Sequence, residues 1–198
     1  KGHEAPVVSV QLAADGATLL TASSDRTARL WEMSSGRELQ VLRGHEAPVI
    51  SAEFSADGKR VLTASWDATA RLWDATSGGA LHVLRGHEEA LRSARFSPDG
   101  RTVLTASLDE TARLWEVASG RELHVLRGHE DSVESAQFSP DGKTAVTTSK
   151  DQTVRLWYCA ECRPIEEIAS EVAKRVRRGL TDEERRRFGV RSCPRSGS

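Results

Sequence analysis

The sequence predicts an all-β protein of four consecutive four-stranded antiparallel sheets, the last incomplete, followed by a short α-helical C-terminal tail. Two observations predict the sheets. Gly-His recurs at Gly2-His3, Gly44-His45, Gly86-His87 and Gly128-His129, and Leu-Trp ends at Trp31, Trp73, Trp115 and Trp157. Both series run at intervals of 42 residues without an insertion, the mark of a repeated supersecondary unit. Between these markers lie short apolar runs with period-2 alternation, bounded by Gly, Asp, Ser and Pro, which is the pattern of half-buried strands joined by tight turns. A third observation ends the sheets: after Trp157 the segment YCAECRPIEE has no counterpart of ELHVLRG, so the fourth unit holds three clear strands.

The second unit shows each element in order. VISAEF is an alternating first strand, SADGK a turn, RVLTAS a second strand, and TARLW a third strand reached through a tight turn at Asp67. A Ser-Gly turn then leads to a fourth strand in ALHVLRG. Gly36, Gly78, Gly79 and Gly120 stand in these hairpin turns with Ser ahead of them, so they form no phosphate-binding loop.

Beyond residue 158 the chain changes character, and residues 159–192 are expected to form an amphipathic helical tail. Pro164 suits a first helical position. Ile165, Ile168, Ala169, Val172, Ala173 and Val176 recur on one helical face, with acids early and bases late as the helix dipole prefers. Gly179 stops this helix, Thr181 to Glu184 is a capping box for a short second one through Phe188, and residues 193–198 read as a disordered end. The apolar stripe is expected to dock against the last sheet.

Composition narrows the function classes. With 38% hydrophobic and 29% charged residues and a net charge of -1, the chain is neither disordered nor collagen-like. No run approaches the roughly 18 to 20 apolar residues of a membrane span, and KGHEAPVV has no apolar signal core, so no membrane partner is expected. Cys159, Cys162 and Cys193 are too few and too clustered to staple the fold, which points to a reducing cytoplasm. Residues 163–198 carry ten basic against six acidic side chains. RVRR and ERRR lack interleaved aromatics and lie among those acids, so they read as a solvated helix face rather than a nucleic-acid site. Cys159-x-x-Cys162 is half a zinc site at best, and no metal or other cofactor is expected.

On its Gly-His and Leu-Trp markers and four-strand units, the chain resembles the WD-repeat β-propeller family over residues 1–158. In that family the sheets are blades packed face to face around a channel. The resemblance implies one buried hydrogen-bonded tetrad per unit. These are His3, Thr21, Asp25 and Trp31; His45, Thr63, Asp67 and Trp73; His87, Thr105, Asp109 and Trp115; and His129, Thr147, Asp151 and Trp157. The residue types suit one another: a carboxylate accepts from His, the other His nitrogen meets Thr, and the Thr hydroxyl takes the indole N–H. Four His and four Asp also invite a metal-site or catalytic-dyad reading, but a 42-residue repeat puts each copy in a different blade, where the copies do not converge. No catalytic residues are expected.

A repeat protein keeps its frame and varies its binding surface, so function is sought where the copies disagree. Just before the tetrad Asp stand Ser24, Trp66, Leu108 and Lys150. The resemblance puts this position on the top face, with the third and fifth residues after the tetrad His: Pro6 and Val8, Pro48 and Ile50, Ala90 and Arg92, Ser132 and Glu134. That surface is apolar on the first two blades and at Leu108, and charged toward Arg92, Glu134 and Lys150. Trp66 beside Ile50 and Pro48 is the expected anchor for a partner, Trp being enriched among binding hot spots. The alternative is that Trp66 folds over the neighbouring blade as extra packing.

The expected function is a non-catalytic interaction module that binds a protein or peptide on the top face. The break after Trp157 and the start at Lys1 fit part of a longer propeller, a four-bladed or open form, or half-rings that self-associate through open edges. The pattern from Leu180 to Phe188 is similar to C-terminal helices of large bacterial signalling proteins that join a STAND-type NTPase, a caspase-like protease or a kinase to a propeller. That likeness implies an alternative, a structural or autoinhibitory C-terminal part of such an enzyme.

Overall fold

Fifteen strands carry the alternating runs, and the computed structural model of the chain describes residues 2–158. The first sheet contains β1 (Val7–Leu12), β2 (Thr18–Ser23), β3 (Thr27–Glu32) and β4 (Glu38–Arg43). The second contains β5 (Val49–Phe54), β6 (Arg60–Ser65), β7 (Ala70–Asp74) and β8 (Ala80–Leu84). The third contains β9 (Leu91–Phe96), β10 (Thr102–Ser107), β11 (Ala112–Glu116) and β12 (Glu122–Leu126). The fourth contains β13 (Val133–Phe138), β14 (Thr144–Ser149) and β15 (Val154–Tyr158). Every sheet is a simple antiparallel meander in chain order. The first strands neighbour one another, β1 beside β5, β5 beside β9 and β9 beside β13, so they form the inner edge of the stack. The tail helices, the disordered end and the three cysteines expected from sequence lie outside the described residues.

A two-sided sheet is stable only when both apolar faces are covered, and the sheets cover each other. One core joins Leu20, Ala22, Ala28, Leu30 and Leu42 of the first sheet to Val49, Ala52, Phe54, Val61 and Trp73 of the second. The next joins Leu62, Ala64, Ala70, Leu72 and Leu84 to Leu91, Ala94, Phe96, Val103 and Trp115. The third joins Leu104, Ala106, Ala112 and Leu114 to Val133, Ala136 and Ala145. Trp73, Trp115 and Trp157 therefore point toward the preceding sheet. Trp73 and Trp115 are fully buried, whereas Trp31, with no described sheet before it, is half-buried.

The first strands depart from simple alternation. In VISAEF, strict period 2 would bury Ile50 with Ala52 and Phe54, but Val49 is buried with those two instead. The cause is a β-bulge: Val49 faces Ser65 and Ser51 faces Ala64, leaving Ile50 without a pairing partner. The same slip skips Val8, Arg92 and Glu134 in the other sheets. A bulge turns a side chain out of the pleat at the strand end, where such features commonly serve binding.

Candidate functional site

The tetrads sit at the end of each sheet where first strand, second strand and third strand meet. In the second sheet His45 precedes β5, Thr63 is in β6, Asp67 is in the β6–β7 turn and Trp73 is in β7. Asp67 Oδ2 lies 2.8 Å from His45 Nδ1, His45 Nε2 lies 2.8 Å from Thr63 Oγ1, and Trp73 Nε1 donates to Thr63 Oγ1 at 2.9 Å. One direction of donation satisfies every atom: the Nδ1–H of a neutral imidazole donates to the carboxylate, Thr63 O–H donates to Nε2, and the indole N–H donates to Thr63. The other three sheets repeat this chain, with every contact between 2.7 and 2.9 Å. The imidazole also meets the indole edge-on, with 6.3 Å between the His45 and Trp73 ring centroids.

Two further residues per unit join the network. Thr69 donates its hydroxyl to Asp67 Oδ1 at 2.6 Å and its N–H at 2.9 Å. Ser65 Oγ accepts Asp67 N–H and donates to the Ala47 carbonyl, tying the turn to the loop before β5. The turn is tight enough to hold Ala68 at φ 64, a left-handed conformation uncommon outside glycine, and the hydrogen bonds of Asp67 offset its strain. Burial pushes the Asp67 carboxyl up, but hydrogen bonds from His45, Thr69 and the Glu46 N–H outweigh it and hold the group well below the ordinary carboxylate range. Ser65, Thr69 and Arg71 were legible in principle, since Ser, Thr and Arg recur there in all four copies.

Arg71 is where the copies differ in charge. Arg29 and Arg113 pair with Glu38 and Glu122 at 2.7 and 2.6 Å, but Ala80 occupies the same register opposite Trp73. Arg71 instead lies over the Trp73 ring, its guanidinium carbon 5.9 Å from the centroid. Its approach explains Gly44, where a Cβ would stand 2.5 Å from the guanidinium and where φ is 149. Replacing Ala80 by Glu supplies the missing carboxylate and should raise stability by about 0.5–1 kcal/mol. Thermal unfolding checks this, and a lowered midpoint would show that Arg71 cannot reach position 80.

Above the tetrads lies the loop face where the residues that vary between copies gather. Trp66 N–H donates to the Pro48 carbonyl at 3.1 Å, and the same bond joins Ser24 to Pro6, Leu108 to Ala90 and Lys150 to Ser132. The two loops that vary between copies are thus held side by side in every sheet. Trp66 is 52% exposed, and Val8 and Pro6 are exposed too. Pro48, Leu108 and Ser24 are half-buried, and Ile50 packs partly against the core between the second and third sheets. The charged side chains pair with one another: Arg92 Nε and Nη2 donate to Glu134 Oε2 at 2.9 and 2.6 Å, and Lys150 Nζ lies 3.6 Å from Glu134 Oε1.

The opposite end of the strands carries the described concavities. One of about 440 Å³ is lined by Glu53, Arg95, Gln137, Phe54, Phe96 and the turns that follow, and one of about 520 Å³ lies between the turns of the first two sheets. Burial pushes the Glu53 carboxyl up, with Arg95 and the Phe96 N–H opposing. Sequence reasoning had singled out none of these residues. Among the described residues no group of three His, Cys, Asp or Glu side chains could hold a metal ion, and no helix is long and apolar enough to cross a membrane.

Comparison with curated proteins found no match. Comparison with protein families matched the family described as WD domain, G-beta repeat, at residues 1–32, 36–74, 78–116 and 120–158. Each complete match begins one strand early: residues 36–74 hold β4 of the first sheet with β5, β6 and β7 of the second. The sequence repeat therefore straddles two sheets and ties them covalently. Four matches in register with the four tetrads leave one assignment: the chain belongs to the WD-domain, G-beta repeat family.

Proposed function

We propose that this chain is a non-catalytic interaction module that binds a protein or peptide on the loop face, with Trp66 as the anchor. One observation carries this reading: a tryptophan stands half exposed at a position where the other three blades have Ser24, Leu108 and Lys150. Trp66 belongs to none of the three buried cores, which favours a role outside the packing between blades. An exposed indole carried on a backbone fastened to a half-buried proline loop presents a large apolar area, which favours it as a hot spot. Exposed Val8 and half-buried Ile50, both at the bulges, extend the apolar side. On the other side Arg92 and Lys150 together carry one more charge than Glu134 neutralises, so a partner with an apolar side chain next to an acidic one fits best. A cytoplasmic setting and a place in a bacterial signalling protein complete the proposal; both rest on sequence character alone.

The test uses peptides selected against the whole chain from a random library. Trp66→Ala should weaken the selected peptides by about 2 kcal/mol, roughly thirtyfold, with the thermal midpoint nearly unchanged. Peptides that bind the variant as tightly, or a midpoint that falls as far as for Asp67→Ala, would reject the anchor.

A further inference from the structure

In each complete sheet an arginine of the third strand lies beside the start of the fourth. Arg29 Nη1 donates to Glu38 at 2.7 Å, and Arg113 Nη1 donates to Glu122 at 2.6 Å. Both acids stand opposite the tetrad tryptophan, Glu38 facing Trp31 and Glu122 facing Trp115, and Ala80 faces Trp73 in the same way. The residue before it differs too, Gly79 standing where the other sheets have Arg37 and Arg121. The second sheet thus keeps the guanidinium of Arg71 but lacks both the carboxylate that would meet it and the long side chain beside that carboxylate.

Two glycines outline the recess. A Cβ added at Gly86 would stand 2.7 Å from Arg113 Nη1, 3.0 Å from Glu122 Oε2 and 3.1 Å from the Trp115 ring, so a carboxylate fills the corner between arginine, indole and glycine. A Cβ added at Gly44 would stand 2.5 Å from Arg71 Nη1 and 3.5 Å from the Trp73 ring, with no carboxylate among its nearest atoms. Asp67 does not serve in its place. The tetrad aspartates of the first and third sheets lie 3.5 and 4.0 Å from their arginines, whereas Asp67 forms no such pair and already accepts four hydrogen bonds. Among the described residues Arg71 forms no ion pair, and its Nε is buried without an acceptor. Arg71 is half-buried and Ala80 exposed, so the corner is open on the β8 side.

We infer that this recess receives the carboxylate of a Glu or Asp side chain in an extended segment of a partner protein laid along the outer edge of β8. Charge decides the occupant. A guanidinium carries its charge at every working pH and offers a fork of donors that matches a carboxylate, and a bond between two ionised groups is about twice as strong as a neutral one. The edge favours an extended segment. β8 is the last strand of its sheet, so its outer N–H and C=O groups have no strand partner among the described residues. Charged side chains commonly keep such edges from pairing, and β4 and β12 each begin with Glu, whereas ALHVL of β8 contains no acid, Lys or Arg. A strand added to an edge gains affinity from main-chain bonds and specificity from side-chain pockets, here the corner at Arg71. The recess involves neither Trp66 nor the other loop-face residues, so it stands apart from the loop-face reading.

Propionate tests the recess in the full chain. At constant ionic strength it should shift the Arg71 Nε–H resonance saturably, chloride should not, and Ala80→Glu, which supplies its own carboxylate, should abolish the response. Peptides test the partner. Those selected from a random library on the parent, with counter-selection on Ala80→Glu, should share one acidic position. Changing that acid to its amide, or Arg71→Met in the protein, should weaken them about tenfold or more. An unresponsive Arg71 resonance, surviving peptides without a shared acid, no surviving peptides, or binding indifferent to Arg71→Met would overturn the inference. Self-association of the parent that disappears in Ala80→Glu would overturn it as well, because the recess would then belong to a second copy of this chain.

Discussion

Replacing Asp67 by alanine is expected to cost roughly 3–5 kcal/mol, the range for removing one partner from a buried charged network. Its side chain is 9% exposed and accepts four hydrogen bonds, from His45, from Thr69 twice and from the Glu46 N–H. Without it the His45 Nδ1–H, the Thr69 hydroxyl and two backbone N–H groups lose their acceptor together, and Ala68 keeps its left-handed conformation with nothing to hold it. Urea unfolding followed by circular dichroism measures the loss. Asp74 is the control, because it follows Trp73 as Asp67 follows Trp66 but serves only an exposed turn, accepting from Thr76 and Ser77. Its replacement by alanine should shift the midpoint far less. A double variant of Asp67 and Thr69 should fall short of the sum of the singles, since both act in one network. Equal effects at positions 67 and 74 would remove the tetrad from the account of stability.

Acid is expected to dissolve the same frame four times over. In all four tetrads burial raises the aspartate, and hydrogen bonds from the imidazole, the following Thr and a backbone N–H overcome it, leaving the group well below its ordinary range. A carboxylate whose folded value is depressed contributes its stability fully above the unfolded value of about 3.9 and loses it as the pH falls toward the folded value. Stability should therefore drop steeply below about pH 4 as the four aspartates take up protons on unfolding. Asp67→Asn removes one of the four. It should be less stable than the parent at neutral pH and have a shallower acid limb, read as the urea midpoint against pH. Parallel acid limbs would mean that these aspartates do not control acid unfolding.

The frame was legible because it is repeated. A lone His or Asp says little, but a His, Thr, Asp and Trp at the same offsets in four copies are one hydrogen-bonded chain written four times. The same reasoning applied to Ser65 and Thr69 would have extended the tetrad, since they recur equally strictly. The bulges were not legible. VISAEF reads as plain alternation, and only the pairing of Val49 with Ser65 and Ser51 with Ala64 shows that Val49 goes into the core between the first two sheets while Ile50 is left half-buried on the other side. The cavity at Glu53 and Arg95 was equally hidden, because it needs β5, β9 and β13 side by side and no single copy contains it.

The sequence by itself determined the number of sheets, the order of strands within each and the odd tryptophan, because these follow from periodicity and from differences between copies, both properties of the chain; the tetrads came with the resemblance to the WD-repeat family. The tertiary structure alone decided which apolar residues are core. Val49 and Val7 are the same residue type at the same place in the repeat, yet one is fully buried and the other half exposed, because a sheet precedes β5 and none described precedes β1. Burial belongs to a pair of faces, and which faces meet is a fact about neighbours in space.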